Sequence, residues 1–535
     1  MSSIRRQIFQ SKTRFAHGLS ALSALVLIAL AGPVPAQTAA AAPGRSSGAL
    51  PALGDNTDLS PAAERRIGDR IAASIYRDAD YVDDPVLVDY VQGVWQPLMA
   101  AARARGELSD ELEERFAWDV FLIRDRSINA FALPGGYMGV HLGLIASVSS
   151  ADELAAVLGH ELSHITQRHI SRLMTQQSRQ APWMIAAMVL GALAASKSPQ
   201  AGSAAIVGGQ ALAAQGQLNF SRDMEREADR VGFGVMTDAG YASRGVASMF
   251  EKLQQASRLN DNGAFPYLRS HPLTSQRIAE AQARVASAPP ARPSPDKLAE
   301  DGRTQALHAM MAARARLLAA PGVDLQRTAL AEARRRAAAP AAALSAGDAG
   351  ALYGGVLAAA QLRDFATARS LLGRLQVQAG GTGPAEQAAG LLGIELDLLE
   401  GRAPAVDAAG IGKAGTRAQL LLQARALLAQ NQAPAVAQAL QTWVALHPKD
   451  AMGWQLLGAA LGQQGQAVRA IRADAESRAA QLDFAAALDR FKAAQGMMRS
   501  NPASADYVDG SIIDTRTRQV ESILKEQALE DKVNR

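Results

Sequence analysis

A His-Glu-Leu-Ser-His run at residues 160–164 constrains this chain more than any other feature. Residues four apart lie about one turn apart on a helix, so His160 and His164 can present both imidazoles to one metal ion. Glu161 lies beside that face, where it can accept a proton from a metal-activated water. A Ser-Ala-Asp-Glu capping box at residues 150–153 opens the predicted helix. The run therefore predicts a zinc site, with one Zn²⁺ per chain.

A third ligand is needed, because a catalytic zinc usually takes three protein ligands and keeps one open position. The Glu-Arg-Glu-Ala-Asp run at residues 225–229 supplies it on a second predicted helix. Glu225 and Asp229 are four apart and share a face. We predict Glu225 as the ligand and Asp229 as the carboxylate that fixes the tautomer of His160. The sequence does not fix the phase of this helix, so Glu227 remains an alternative ligand.

Apolar residues on either side of a Pro-Gly-Gly turn at residues 134–136 predict short strands or a hairpin. A strand edge beside the metal helix can hold an extended peptide by main-chain hydrogen bonds. This arrangement would place a scissile carbonyl at the metal without selecting side chains. The residues predicted to form the substrate-binding edge are Asn129, Ala130, Phe131 and Ala132.

The insert between the two predicted metal helices contains an almost entirely apolar stretch at residues 183–195. It is shorter than the roughly 20 residues of a transmembrane helix. A buried core helix and a mobile flap that touches substrate or the membrane surface remain alternatives.

The first 36 residues have a basic start, an apolar stretch and a small-residue end, which is typical of a cleaved secretory signal peptide. This segment carries four basic and no acidic side chains, so its removal takes the formal net charge from +4 to zero. The basic balance is therefore no argument for a nucleic-acid partner. The chain has no cysteine, which excludes disulfides and thiolate zinc ligands. We predict a periplasmic protein whose residues 37–57 form a flexible N-terminal segment.

The amino-acid composition of the chain changes after residue 285. A Pro-rich linker is predicted at 286–300, and residues 301–535 are rich in alanine and leucine. Pro448 followed six residues later by Trp454 fits a tetratricopeptide pattern, and such stacked helical pairs form concave binding surfaces. An Ala-rich bundle without a binding role is the alternative. The predicted fold class is α+β, mainly helical: a zincin-type metallopeptidase domain at 58–285 followed by an all-α tetratricopeptide-like repeat domain.

Three runs together resemble a known family: residues 129–137, residues 160–169 and residues 221–229. They are similar to the motifs of the HtpX and CAAX-prenyl-protease superfamily of metallopeptidases, and the resemblance covers residues 55–285. Within that superfamily, the chain looks like the periplasmic members that add tetratricopeptide repeats. The resemblance implies the same zinc ligands and base. It also implies clients that are unfolded or misassembled outer-membrane proteins, and the barrel-assembly machinery as a partner.

The Ser-His-Pro run at residues 270–272 has two interpretations. In the family, the corresponding histidine is thought to act as a fourth zinc ligand, and His271 would then displace the water and restrain the enzyme. Alternatively, His271 caps or packs near the next helix. We expect a periplasmic zinc endopeptidase that degrades misassembled barrel proteins and assists their assembly. The alternative is a periplasmic chaperone or adaptor with latent protease activity.

Overall fold

The computed structural model describes residues 59–177, 222–258, 266–287, 295–340, 345–379, 383–500 and 506–533. The predicted signal peptide, the segment at 37–57 and the apolar stretch at 183–195 lie outside the described residues. So do residues 288–294 of the predicted linker.

The described part of the chain begins with three helices that lie beside a small sheet. Ser60 caps the first helix by accepting a hydrogen bond from the Ala63 amide at 3.2 Å, and Pro61 occupies its first position. These helices are α1 (Pro61–Tyr76), α2 (Pro85–Ala104) and α3 (Asp110–Arg115).

Four short strands form one mixed sheet in the order β1-β2-β4-β3. Strand β4 pairs in parallel with β2 and antiparallel with β3, which leaves β3 at the edge. The Pro-Gly-Gly turn before β4 packs tightly on α1. Gly135 has a φ of 73°, and a Cβ there would lie 2.6 Å from the Arg65 Cα, so glycine is required. The strands are β1 (Tyr81–Val82), β2 (Asp119–Ile123), β3 (Ala130–Leu133) and β4 (Tyr137–His141).

Two helices cross closely beside the sheet: α5 (Ala151–Thr166) and α7 (Arg222–Asp238). Their contact is made by glycines, since a Cβ on Gly232 would lie 2.9 Å from the carbonyl oxygen of Gly159. Glycine at both positions therefore lets the two backbones approach. Around them lie α4 (Leu142–Ser147), α6 (His169–Gln177), α8 (Arg244–Arg258), α9 (Tyr267–Ser270) and α10 (Ser275–Ser287).

The cap of α5 differs from the predicted capping box in one half. Ser150 accepts from the Glu153 amide at 3.3 Å, as predicted. The Glu153 carboxylate, however, accepts from the amide of Ser149 at 2.6 Å, one residue earlier than a capping box requires. The same carboxylate also forms an ion pair with Lys252 of α8 at 2.6 Å.

All described elements after residue 295 are helical. Several of them end in tight turns with a residue in the left-handed conformation, such as Arg363 with a φ of 64° and Asn431 with a φ of 59°. The helices are α11 (Pro295–Ala319), α12 (Val323–Ala337), α13 (Ala346–Gln361), α14 (Phe365–Gln378), α15 (Pro384–Glu400), α16 (Arg417–Ala429), α17 (Ala433–Leu446), α18 (Ala451–Gln463), α19 (Ala467–Ala480), α20 (Phe484–Ser500) and α21 (Tyr507–Val533).

This helical region packs directly on the first part of the chain. Apolar residues of α2, α5, α11 and α13 belong to one core. Buried Arg314 of α11 ion-pairs with Asp84 at 2.7 Å and with Glu395 at 2.6 Å. At the other end, Arg70 of α1 pairs with Glu530 of α21 at 2.8 Å. The boundary at 286–300 stays a prediction, and the helices on its two sides share buried contacts.

The predicted fold class is confirmed: a small sheet among helices is followed by an all-helical region. No helix among the described residues is both long enough and apolar enough to cross a membrane.

Candidate metal centre

Four buried side chains, His160, His164, Glu225 and His271, each bring one possible ligand atom within 4.8 Å of the other three. His160 Nε2 lies 3.0 Å from His164 Nε2, and each nitrogen lies 3.5 Å from a Glu225 oxygen. Donors around a tetrahedral zinc, each about 2.0–2.1 Å from the metal, are about 3.3–3.4 Å apart. The donor set therefore fits one divalent cation such as zinc.

The electrostatics of this donor cluster also favour a cation. Burial opposes the charge on His160, yet hydrogen bonds to Asp229 and Glu225 raise its pKa to about 10. Burial and the charges of His160 and His271 hold the pKa of His164 well below its usual value. Despite burial, His271 and His160 hold the pKa of Glu225 far below its usual value. An imidazolium thus balances Glu225 in the metal-free cluster, and a bound cation would supply that positive charge instead.

Glu161 lies between the donor cluster and the edge strand. Its Oε2 accepts a hydrogen bond from the backbone N–H of Ala132 in β3 at 3.0 Å. Its Oε1 is buried without a hydrogen-bond partner among the described residues and lies 3.4 Å from His271 Nε2. Burial raises the pKa of this carboxyl group. The side chain is therefore placed to exchange a proton with a group bound beside the metal donors.

The predicted edge residues lie in or next to β3, beside α5. Ala132 makes the contact with Glu161 described above. The carbonyl oxygen of Asn129 accepts from the His141 amide at 3.0 Å, which ties the start of the strand to β4. The ring of Phe131 covers Gly139 of β4, where a Cβ would lie only 2.3 Å from the ring. Ala130 is fully buried.

Asp229 and Arg277 hold the outer side of His160. Asp229 Oδ1 accepts from His160 Nδ1 at 3.0 Å, which directs Nε2 towards the donor cluster. Arg277 of α10 grips Asp229 with two hydrogen bonds at 2.7 and 2.8 Å, and its third nitrogen lies 2.6 Å from Glu225 Oε2. Sequence reasoning missed Arg277, because a single arginine in a later helix carries no spacing signal.

Glu227, the alternative ligand, lies outside the donor cluster. Its Oε2 is 2.9 Å from His169 Nε2 and 3.1 Å from an Arg172 nitrogen. His169 in turn contacts the far side of His164, with 2.9 Å between the two Nδ1 atoms. The placement of His169 was also missed, since it depends on the turn after α5.

His271 follows the short helix α9, and its ring enters the donor cluster. The ring stacks on Tyr267, with centroids 4.6 Å apart, and Nδ1 lies 2.9 Å from Glu225 Oε1. The imidazole is 2 % exposed. Of the two interpretations of the Ser-His-Pro run, this position favours the one that puts His271 among the metal donors.

The fold and the donor cluster are those of a metallopeptidase in which two candidate ligand histidines lie on one helix. Residues 90–285 match the family model described as peptidase family M48, and they form an M48 domain in this chain.

Known relatives agree with this assignment. The chain is 36% identical over 228 residues to a beta-barrel assembly-enhancing protease of Vibrio cholerae, covering 43% of this chain and 45% of that protein. It is 33% identical over 242 residues to the beta-barrel assembly-enhancing protease of Escherichia coli K12, covering 45% of this chain and 48% of that one. The chain thus spans about half the length of these two relatives. A Yersinia pestis protein of the same name is 29% identical over 446 residues, covering 80% of this chain and 84% of that one.

Proposed function

We propose that the protein is a zinc-dependent endopeptidase of the periplasm that acts on misassembled outer-membrane β-barrel proteins. The observation that carries the proposal is the position of Glu161, whose carboxylate lies between the four-donor cluster and the Ala132 amide of the edge strand. A base, a cation site and a strand edge at one point are the parts that peptide hydrolysis requires.

The residues divide the work as follows. His160, His164 and Glu225 would hold the metal, which when bound acts as a Lewis acid on the scissile carbonyl and activates water near neutral pH. Glu161 accepts the proton of the attacking water and delivers it to the leaving amine. The β3 edge holds the substrate main chain in an extended form, so recognition depends on the backbone. Asp229 keeps His160 in the tautomer whose Nε2 is free to bind.

The client class rests on the names of the relatives, and the location rests on the signal-peptide pattern of the first 36 residues. The relatives are called beta-barrel assembly-enhancing proteases, which supports a role in assembly and quality control of outer-membrane barrel proteins. The helical region at 301–535 would recruit these clients or dock on the barrel-assembly machinery. Cleavage of the N-terminal segment near residue 37 and recovery in an osmotic-shock fraction would support the periplasm. An intact N-terminus in the inner membrane would contradict it.

The catalytic part is tested with Glu161→Gln and a matched control, Glu251→Gln, at an exposed position of α8. Glu161→Gln should keep one zinc per chain, since the donors survive, and should lose about 10²–10⁴-fold in cleavage of casein. The control should keep both properties. Full cleavage by Glu161→Gln would refute the assignment.

A restrained state of the same enzyme is favoured by His271, whose imidazole lies with the donors. As a fourth ligand, it would occupy the position that substrate and water need. A client would then have to displace the loop, which shifts a closed population to an open one. His271→Ala should raise basal casein cleavage with zinc content unchanged, whereas exposed His447→Ala should change neither. An inactive, zinc-loaded His271→Ala would instead indicate that His271 stabilises the transition state.

A further inference from the structure

A line of buried contacts runs outward from the far side of His164. His164 Nδ1 is 2.9 Å from His169 Nδ1, and His169 Nε2 is 2.9 Å from Glu227 Oε2. An Arg172 nitrogen lies 3.1 Å from the same Glu227 oxygen. Both imidazoles are fully buried. The line ends at a carboxylate that is only partly buried.

The positions of the protons along this line follow from the contacts. Two Nδ1 atoms at hydrogen-bond distance need one proton between them, because each neutral imidazole has one donor and one acceptor nitrogen. If His169 carried that proton, neutral His164 would carry its own on Nε2 and would have no lone pair for a metal. Metal binding through His164 Nε2 therefore requires the proton on His164 Nδ1, with His169 Nδ1 as acceptor. The proton of His169 then lies on Nε2, directed at Glu227.

Glu227 selects this arrangement because an ionised carboxylate only accepts hydrogen bonds. We propose that His169 and Glu227 are positioning residues that fix the metal-binding tautomer of His164 by a two-step hydrogen-bond relay. The inference rests on the proposed role of His164 as a metal ligand. His160 is oriented by direct contact with the Asp229 carboxylate. His164 is oriented through an intervening imidazole, so the hydrogen bonds from both candidate ligands lead to a carboxylate.

The turn between α5 and His169 has the backbone conformation that the relay needs. His169 follows α5 after a turn in which Arg168 adopts a φ of 53°, a left-handed conformation that is uncommon for a residue with a side chain. The Arg168 guanidinium lies 3.1 Å from Glu64 of α1 and also contacts the Leu59 carbonyl oxygen. These contacts hold the turn that brings His169 back against a ligand five residues earlier.

The test compares two substitutions that separate packing from hydrogen bonding. His169→Leu fills the buried site with an apolar side chain and removes the acceptor. His169→Asn is smaller and polar, but its carbonyl oxygen can accept from His164 Nδ1 near the position of the lost nitrogen. Zinc affinity of the purified full-length protein is measured by competition with a chromophoric chelator, and Co²⁺ absorption reports the ligand field.

The relay predicts that His169→Leu loses about 10–100-fold in zinc affinity and changes the Co²⁺ spectrum. His169→Asn should stay within a few-fold of the wild type. A packing role predicts the reverse order, because leucine fills a buried apolar space better than asparagine. That order would overturn the proposal.

Glu227→Met tests the relay while both imidazole side chains stay in place, and Glu251→Met on α8 is its control. Glu227→Met should weaken zinc binding several-fold while the thermal midpoint of the metal-free protein stays near that of the control. Wild-type zinc affinity in both His169→Leu and Glu227→Met would refute the relay and leave the endopeptidase proposal standing. A wild-type protein that binds no stoichiometric zinc would refute the endopeptidase proposal itself.

Discussion

The side chains of the four-donor cluster depend on neighbours that lie outside the cluster. Arg277 is the main example, because it neutralises two buried carboxylates at once. Its guanidinium pairs with Asp229 at 2.7 Å and with Glu225 at 2.6 Å. Burial disfavours charge on Arg277, yet these acidic neighbours raise its pKa above the usual value. Without it, Asp229 and Glu225 would repel each other and both would be protonated more readily.

We therefore expect Arg277→Met to weaken zinc binding by about 10–100-fold, the usual effect of losing a group that supports ligands. Competition with a chelator at neutral pH measures the change. Arg284→Met is the matched control, since Arg284 lies on the same helix and, among the described residues, forms an ion pair only with Glu280, at 3.3 Å. Equal affinity in the two variants would contradict the supporting role of Arg277.

The donor residues were predictable because their spacing carries chemistry, and the residues that support them were not. His160, Glu161 and His164 lie within about one helical turn, so their pattern alone selects them. The pattern of the second helix narrows the third ligand to Glu225 or Glu227. Arg277 and His169 reach the centre through tertiary contacts that no local period encodes. The sequence does not tell which face of α7 is turned towards the donor cluster. The contact of Glu227 with His169 shows that Glu227 lies outside the cluster.

Helices α5 and α7 place the two halves of the donor set, and their separation is set by glycine. The Gly159 and Gly232 backbones touch, with the carbonyl oxygen of Gly159 only 2.9 Å from where a Gly232 Cβ would stand. The three atoms nearest to that position all belong to the main chain, so no flexible side chain can yield. A methyl group there must push α7 away from α5.

We expect Gly232→Ala to destabilise the fold by about 1–3 kcal/mol through overpacking and to weaken zinc binding, because Glu225 moves with its helix. Urea unfolding and zinc competition measure the two effects. Gly93→Ala on α2 is the control, since a Cβ there meets nothing within 4 Å. It should be neutral or stabilising by up to about 1 kcal/mol. A Gly232→Ala protein with normal stability and affinity would disprove the close-contact argument.

At the scale of the chain, the change in composition near residue 285 predicts two domains joined by a linker, and that boundary stays a prediction. What composition could not reveal is how closely the later helices pack. Arg417 of α16 joins Asp83, just before α2, to Asp450, just before α18, at 2.8 Å each. Arg314 makes a similar bridge from the neighbouring residue, Asp84. Such pairs are distant in sequence and have no periodic signature, so they appear only in three dimensions.

A buried histidine lies at this contact between the two regions, and we expect it to make their packing sensitive to pH. His308 of α11 is 1 % exposed. Its Nδ1 lies 2.6 Å from the Tyr90 hydroxyl of α2, and its Nε2 lies 2.9 Å from the Val148 carbonyl oxygen. A neutral ring satisfies both contacts by donating from Nε2 and accepting at Nδ1. Burial is the main reason that the pKa of His308 falls below its ordinary value of 6.5.

The direction of the pH effect on stability follows from the number of protons that the folded and the unfolded chain bind. Below about pH 6.5 the unfolded chain protonates His308 and the folded chain resists, so the free energy of unfolding falls as the pH is lowered. The loss is at most about 1.4 kcal/mol per pH unit and ends at the lower pKa of the folded state.

In His308→Gln, the amide can donate to Val148 and accept from Tyr90 without titrating. Its thermal midpoint should therefore drop less than that of the wild type between about pH 7.5 and 5.5. Titration at the metal centre affects both proteins alike, and exposed His447→Gln should follow the wild type. Parallel midpoint curves for His308→Gln and the wild type would show that His308 does not link the packing of α11 to pH.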